Sequence, residues 1–179
     1  MIHLKDLLEQ KKGAIVKNWF NVVVNTYKGD TVQFLKKQKD PFANPVGNTT
    51  FRGLEVLFDE LIKEMDREII TSSLDPIIRI RAVQDFSPSQ ATGFIIALKK
   101  VIRESLKKEL LENQTANELL HFESKIDKLS LIAFNIYMEC REKIYQIKAN
   151  EEKSKVYKAF ARAGLITEDP VEGPALVVS

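Results

Sequence analysis

The stretch TANELLHFESKIDKLSLIAFNIYMECREKIYQIKANEEKSKVYKAFARAG, residues 115–164, carries no proline and no glycine before Gly164. Thr115 and Glu118 have the spacing of a capping box, a hydroxyl at the N-cap with a carboxylate three residues on, so a helix is expected from Ala116. Nothing interrupts it before Ala163. Along it Phe122, Ile126, Leu129, Ala133, Ile136, Cys140, Ile144 and Ile147 step by four and three residues, the seam of a packed helix. Leu131 to Met138 is apolar nearly all round and is expected to run through the core. Beyond Ile147 the run Lys148 to Lys155 is polar apart from Ala149, and apolar residues return at Val156, Tyr157 and Phe160. At 1.5 Å per residue such a helix spans roughly 70 Å, more than a domain of this size covers. Part of it must stand in solvent or lie on a neighbour, and Val156, Tyr157 and Phe160 form the candidate surface of a homodimer. The alternative is a break near Asn150 that folds the same aromatics back onto their own chain.

Working outward, the rest of the chain also reads as helix. Leu4, Leu7, Leu8, Ile15, Trp19, Val22, Val23 and Tyr27 share one broad face, with Gly29 as the stop and Gly13 weakening the helix without breaking it. Asp30 is placed to cap a short second helix, with Gln33 completing a box and an end near Asp40-Pro41. Asp40 to Gly47, with two prolines and a glycine, reads as an ordered loop. From about Asn48 the helical period resumes through Phe51, Leu54, Leu57, Phe58, Leu61, Ile62 and Met65. Asp75-Pro76 reads as a helix start. Ser87-Pro88-Ser89-Gln90 unites a serine cap, a proline at the first position and a glutamine at the third, and opens a helix through Leu106. The tail from Leu165 to Ser179, with Pro170, Gly173 and Pro174, reads as extended and mobile. One all-helical domain over 1–164 with a C-terminal tail is the expected organisation.

Composition narrows the function classes. At 179 residues, 44% apolar and 29% charged, the chain can bury a sizeable core. A net charge of +2 gives no field to gather nucleic acid. No apolar stretch approaches the roughly 18 to 20 residues needed to cross a bilayer, and the N-terminus has no signal-peptide pattern. A single cysteine, Cys140, fits a reducing compartment, and the cytoplasm is the expected location. With two histidines and no phosphate cradle, nucleophile elbow or helical zinc pair, the sequence offers no catalytic, metal or cofactor site. His121 reads as a surface residue, and Cys140, a seam residue, reads as packing with a redox sensor as the alternative. Lys99, Lys100, Arg103, Lys107 and Lys108 share their helix with Glu104 and Glu109 and read as a wet face.

Two polar groupings stand apart. The first is Asp40, Pro41, Phe42, Asn44, Pro45 and Gly47, a loop of defined shape with Phe42 as an apolar anchor, which reads either as a contact surface or as a rigid helix connector. The second is Arg79, Arg81, Gln84, Asp85, Ser87 and Gln90, where local caps and an Arg–Asp pair compete with a polar contact surface.

These stretches, Lys39-Asp40-Pro41-Phe42-Ala43-Asn44-Pro45-Val46-Gly47 and Arg79 to Ala91, resemble the two signatures of the RsbT co-antagonist RsbRD N-terminal domain family, over roughly Leu4 to Ile147. The resemblance implies an all-helical, globin-like bundle that binds no haem and serves as the sensory or docking head of stress regulators, with a protein partner. In such regulators a STAS output domain follows the head, whereas here 15 residues follow Gly164. Short members resemble accessory proteins of redox systems in sulfur-metabolising bacteria. A non-catalytic signalling or docking module is the expected function, with a small-ligand or redox sensor as the alternative.

Overall fold

The computed structural model describes residues 3–37, 40, 42–84, 86–112 and 115–165. Among the described residues there are seven helices and no strand: α1 (Leu4–Val24), α2 (Asp30–Lys37), α3 (Pro45–Ile62), α4 (Arg67–Val83), α5 (Pro88–Ser105), α6 (Lys107–Glu112) and α7 (Ala116–Arg162). The class is all-α, and α7 is a single helix of 47 residues with no break at Asn150. The chain divides into two compact units, Met1–Arg141 and Glu142–Ser179.

The first unit is a bundle in which α3 packs on α4 and on α1, and α1 on α5. Its core is continuous from Leu4 and Trp19 of α1 through Phe58 of α3, Leu74 of α4 and Phe94 of α5 to Phe122, Ile126, Leu129 and Ala133 of α7. Trp19 is fully buried, and its indole N–H donates to the Phe94 carbonyl at 2.8 Å, so the largest core side chain leaves no polar atom stranded. Gly53 sets the α3–α4 approach, because a Cβ there would sit 2.9 Å from Ile77 Cδ1 and 3.1 Å from the Ser73 carbonyl oxygen.

Several local expectations are revised. Helix α1 ends at Val24, short of Gly29, although Gly13 stays within it. Asp30 lies in the first turn of α2, which ends at Lys37. Helix α3 begins at Pro45, not near Asn48, because Asn44 serves as its N-cap and Pro45 takes the first helical position, where its missing N–H costs nothing. Pro76 lies inside α4, whose cap is Asp66, accepting from the Glu68 and Ile69 amides at 2.9 and 3.1 Å. The Ser87 box forms as expected: Ser87 N donates to Gln90 Oε1 at 3.0 Å and Ser87 Oγ accepts from Gln90 N at 3.3 Å.

The Thr115–Glu118 box does not form. Glu118 instead accepts from Leu4 N at 2.6 Å and His3 Nδ1 at 3.1 Å, capping the start of α1, which lies beside the start of α7. Among the described residues the buried Thr115 hydroxyl has no hydrogen-bond partner. Nor does Leu131 to Met138 run wholly through the core: Leu131, Phe134 and Met138 are 67%, 44% and 37% exposed, while Ala133, Ile136 and Tyr137 are buried. In the second unit Tyr145, Ile147, Val156, Tyr157 and Phe160 are each about half-exposed. The expected mobile tail, apart from Leu165, lies outside the described residues.

Candidate functional site

The Asp40–Gly47 stretch is built as a clasp between α2 and α3. Asp40 closes the turn, with Oδ1 accepting from Phe42 N at 3.0 Å and its carbonyl from Asn44 N at 2.9 Å. Asn44, 3% exposed, then works in two directions: Oδ1 accepts from Gly47 N at 2.9 Å, and Nδ2 donates to the Leu35 carbonyl at 3.1 Å. One side chain thus caps the start of α3 and satisfies a carbonyl of α2. Glycine is required at position 47 because a Cβ there would lie 2.3 Å from Asn44 Nδ2. Phe42 is no anchor, being 96% exposed. Pro45 is exposed in the first turn, and Pro41 lies outside the described residues. A cleft of about 690 Å³ opens beside the clasp, floored by Leu35 and by Phe20 and Phe51, whose rings meet edge to face at 5.4 Å.

The Arg79–Gln90 stretch divides its residues among separate tasks. Arg79 is exposed and forms a bidentate pair with Asp75 one turn earlier, at 3.0 and 2.7 Å, which raises its pKa chiefly through that hydrogen bond. Gln84 ends α4, its N–H donating to Ile80 O, and is exposed. Ser87 and Gln90 cap α5, and Asp85 lies outside the described residues.

Arg81 is the exception, fully buried where α4 and α5 meet the turn that follows α1. Its Nη2 donates to Thr26 Oγ1 at 2.6 Å and to the Gln90 carbonyl at 2.8 Å. The guanidinium carbon lies 4.4, 5.3 and 5.5 Å from the ring centres of Phe86, Tyr27 and Phe94. Among the described residues Nε and Nη1 have no hydrogen-bond partner, and the three π faces lie against the charge. Burial lowers its pKa, with Tyr27 opposing.

Other functional ties were not marked by any motif. Arg103 and Glu123 pair at 2.6 and 2.9 Å and Lys99 and Asp127 at 2.7 Å, so two of the five residues read as a wet basic face fasten α7 to the bundle, while Lys107 and Lys108 fall in α6 and not on the same helix. Lys125 of α7 donates to the Leu61 and Lys63 carbonyls at 3.2 and 2.5 Å, closing the C-terminus of α3. Tyr137 donates to Phe86 O at 2.5 Å and Arg141 to Ala82 O at 3.0 Å. Only their pairing partners, distant in sequence, would have revealed them.

Cys140 is buried in the α7 seam. No group of three His, Cys, Asp or Glu that could hold a metal ion occurs among the described residues, and none of their helices is long and apolar enough to cross a membrane. The two signature stretches do not converge on one site: the first clasps α2 to α3, and the second ties α4 to α1 and α5.

The signature residues of this helical bundle act as caps and interhelical ties, and its last helix leaves apolar side chains in solvent. The chain belongs to the RsbT co-antagonist protein rsbRD N-terminal domain family, whose profile matches residues 13–151. An uncharacterised protein of Archaeoglobus fulgidus is 27% identical over 86 residues, 48% of this chain and 53% of that protein. The chain thus spans about half the length of that relative. No solved structure matches.

Proposed function

We propose that this chain is a non-catalytic regulatory module that acts through protein contact, and that α7 provides a surface on which a second copy docks. Membership of a family of regulatory N-terminal domains supports the signalling role. The observation that carries the contact surface is the second apolar face of α7. At 100° per residue Leu131, Phe134 and Met138 fall within about 60° of arc, directly opposite the buried Leu129, Ala133, Ile136 and Cys140. A helix already buried along one face gains nothing from a second apolar stripe unless something covers it. In the second unit, taken by itself, Val156, Tyr157 and Phe160 are each about half-exposed and offer the same kind of surface.

A closed two-fold pairing would bring each stripe onto its own copy. The lone thiol, Cys140, supports a reducing, cytoplasmic setting. The burial of Cys140 supports packing over redox chemistry as its role. Sedimentation at tens of micromolar tests the pairing. A dimer is expected, which Phe134→Glu with Met138→Glu converts to monomer and Tyr157→Ala with Phe160→Ala weakens. A wild-type monomer, or a dimer indifferent to all four changes, would overturn the surface. A reaction whose turnover is abolished by one polar substitution would overturn the non-catalytic role.

A further inference from the structure

Where the first turn of α1, the end of α3 and the start of α7 meet, the bundle leaves a cavity of about 390 Å³, within the range of small-molecule sites. Its walls are apolar: Leu4 and Leu8 from α1, Leu61 and Ile62 from α3, and Phe122 from α7. Its polar groups are Lys5, Asn117, Glu118, His121 and Lys125.

What these groups still have to offer fixes the chemistry of an occupant. The two oxygens of Glu118 are occupied by Leu4 N and His3 Nδ1. That hold keeps its carboxyl below the ordinary carboxylate pKa, so it stays an anion already used by the protein. Lys125 spends two of its three hydrogens on the Leu61 and Lys63 carbonyls and keeps one. Lys5 is 64% exposed and has only a 3.9 Å approach to Glu9. His121 is exposed and has no polar partner among the described residues. The mouth therefore offers two cationic donors, Lys5 and Lys125, beside the amide of Asn117 and the His121 ring, while its one carboxylate, Glu118, already accepts from Leu4 N and His3 Nδ1.

We infer that this cavity binds a small organic anion, a carboxylate on a compact apolar body, with the body against Leu4, Ile62 and Phe122 and the carboxylate at the mouth facing Lys5, Lys125 and His121. A neutral apolar molecule would fill the same space without using the donors, and an amine would meet like charge. Because α7 supplies part of the wall and part of the mouth, occupancy bears on the helix that carries the proposed docking stripe. This gives the regulatory module an input; only that last step rests on the regulatory reading, and the binding itself does not.

The test uses three matched probes on the full chain: phenylacetate, phenylacetamide and 2-phenylethylamine, titrated by heteronuclear NMR. Phenylacetate is expected to bind about tenfold or more tighter than either of the others, with shifts centred on Lys5, Leu61, His121 and Phe122. Lys5→Glu, at an exposed position that leaves the core intact, is expected to weaken phenylacetate about tenfold and to bring 2-phenylethylamine level with it or ahead. Ile62→Trp fills the cavity and is expected to abolish binding of all three; if that variant unfolds, the Lys5→Glu reversal decides alone. Equal binding of acid, amide and amine, no effect of Lys5→Glu, or shifts elsewhere in the bundle would overturn the inference. Absence of phenylacetate binding by a protein that still dimerises through α7 refutes this site alone, whereas binding by a protein that never dimerises refutes the docking surface alone.

Discussion

Gly47 and Asn44 should show a reversal of sign in a double-mutant cycle. Asn44→Ala removes the α3 cap, the bond from Gly47 N, about 0.5–2 kcal/mol, and leaves the Leu35 carbonyl without its buried partner, about 1–3 kcal/mol more. A loss of about 2–4 kcal/mol, or roughly 5–15 °C in Tm for a chain of this size, is expected. Gly47→Ala in the native background drives a Cβ to within 2.3 Å of the Asn44 amide, which must leave its cap, so this change should also cost about 1–3 kcal/mol. In the Asn44→Ala background that obstacle is gone, and alanine is the better helix former by up to about 1 kcal/mol. There the same substitution should stabilise. Urea denaturation followed by the fluorescence of Trp19, the single tryptophan, with far-UV circular dichroism as a second probe, measures all four proteins. Equal cost of Gly47→Ala in both backgrounds would refute the clasp, as would an Asn44→Ala variant within about 0.5 kcal/mol of wild type.

Arg81→Met should fall within about 1 kcal/mol of wild type, because it removes a buried charge, suits the Tyr27, Phe86 and Phe94 rings, and leaves Thr26 Oγ1 still bonded to Val23 O. Arg81→Lys should cost about 2 kcal/mol or more, since an ammonium is harder to desolvate and cannot stack, and chemical denaturation that ranks lysine above methionine would refute the π-held cation. Glu118 has its pKa lowered in the fold, first by the Leu4 amide and then by His3, so its contribution is complete above the ordinary carboxylate pKa and is lost as pH falls through the lowered value. Glu118→Gln should therefore flatten the acid limb of a Tm-against-pH curve, and an unchanged limb would show that the cap is not electrostatic.

Signals legible in the sequence were those whose partners lie within one turn. The Ser87 box and the seam from Phe122 to Cys140 are local patterns that appear where spacing puts them, whereas the seam's expected continuation at Ile144 and Ile147 is not buried, Ile147 being 52% exposed. Asn44-Pro45 and Asp75-Pro76 show the limit, since each reads plausibly as a helix start or as something else. Asn44 caps α3 because its amide also reaches Leu35, whereas α4 is already capped by Asp66 and runs through Pro76. Glu118 had a sound local use and abandoned it for the start of α1. Leu131 to Met138 is apolar in every direction, but only one arc of a helix can face one bundle, and periodicity does not say what covers the other. Of the residues proposed as contacts, Asn44, Gly47 and Arg81 turned inward as structural ties, which composition alone could not distinguish from an exposed polar surface.

The hydrogen bond from Leu4 to Glu118 joins residues 114 positions apart. During synthesis at about 5–20 residues per second, the first turn of α1 waits roughly 6–23 s for its cap to be made. Until then its opening amides can be met only by water, and the N-terminal turn of the first helix to emerge is among the last to close. In the finished protein the same dependence runs backwards: any fluctuation that lifts the start of α7 uncaps α1 as well. Amide exchange at the two ends of that bond should therefore proceed at a common rate, as a single opening event and not as independent fraying of a chain terminus.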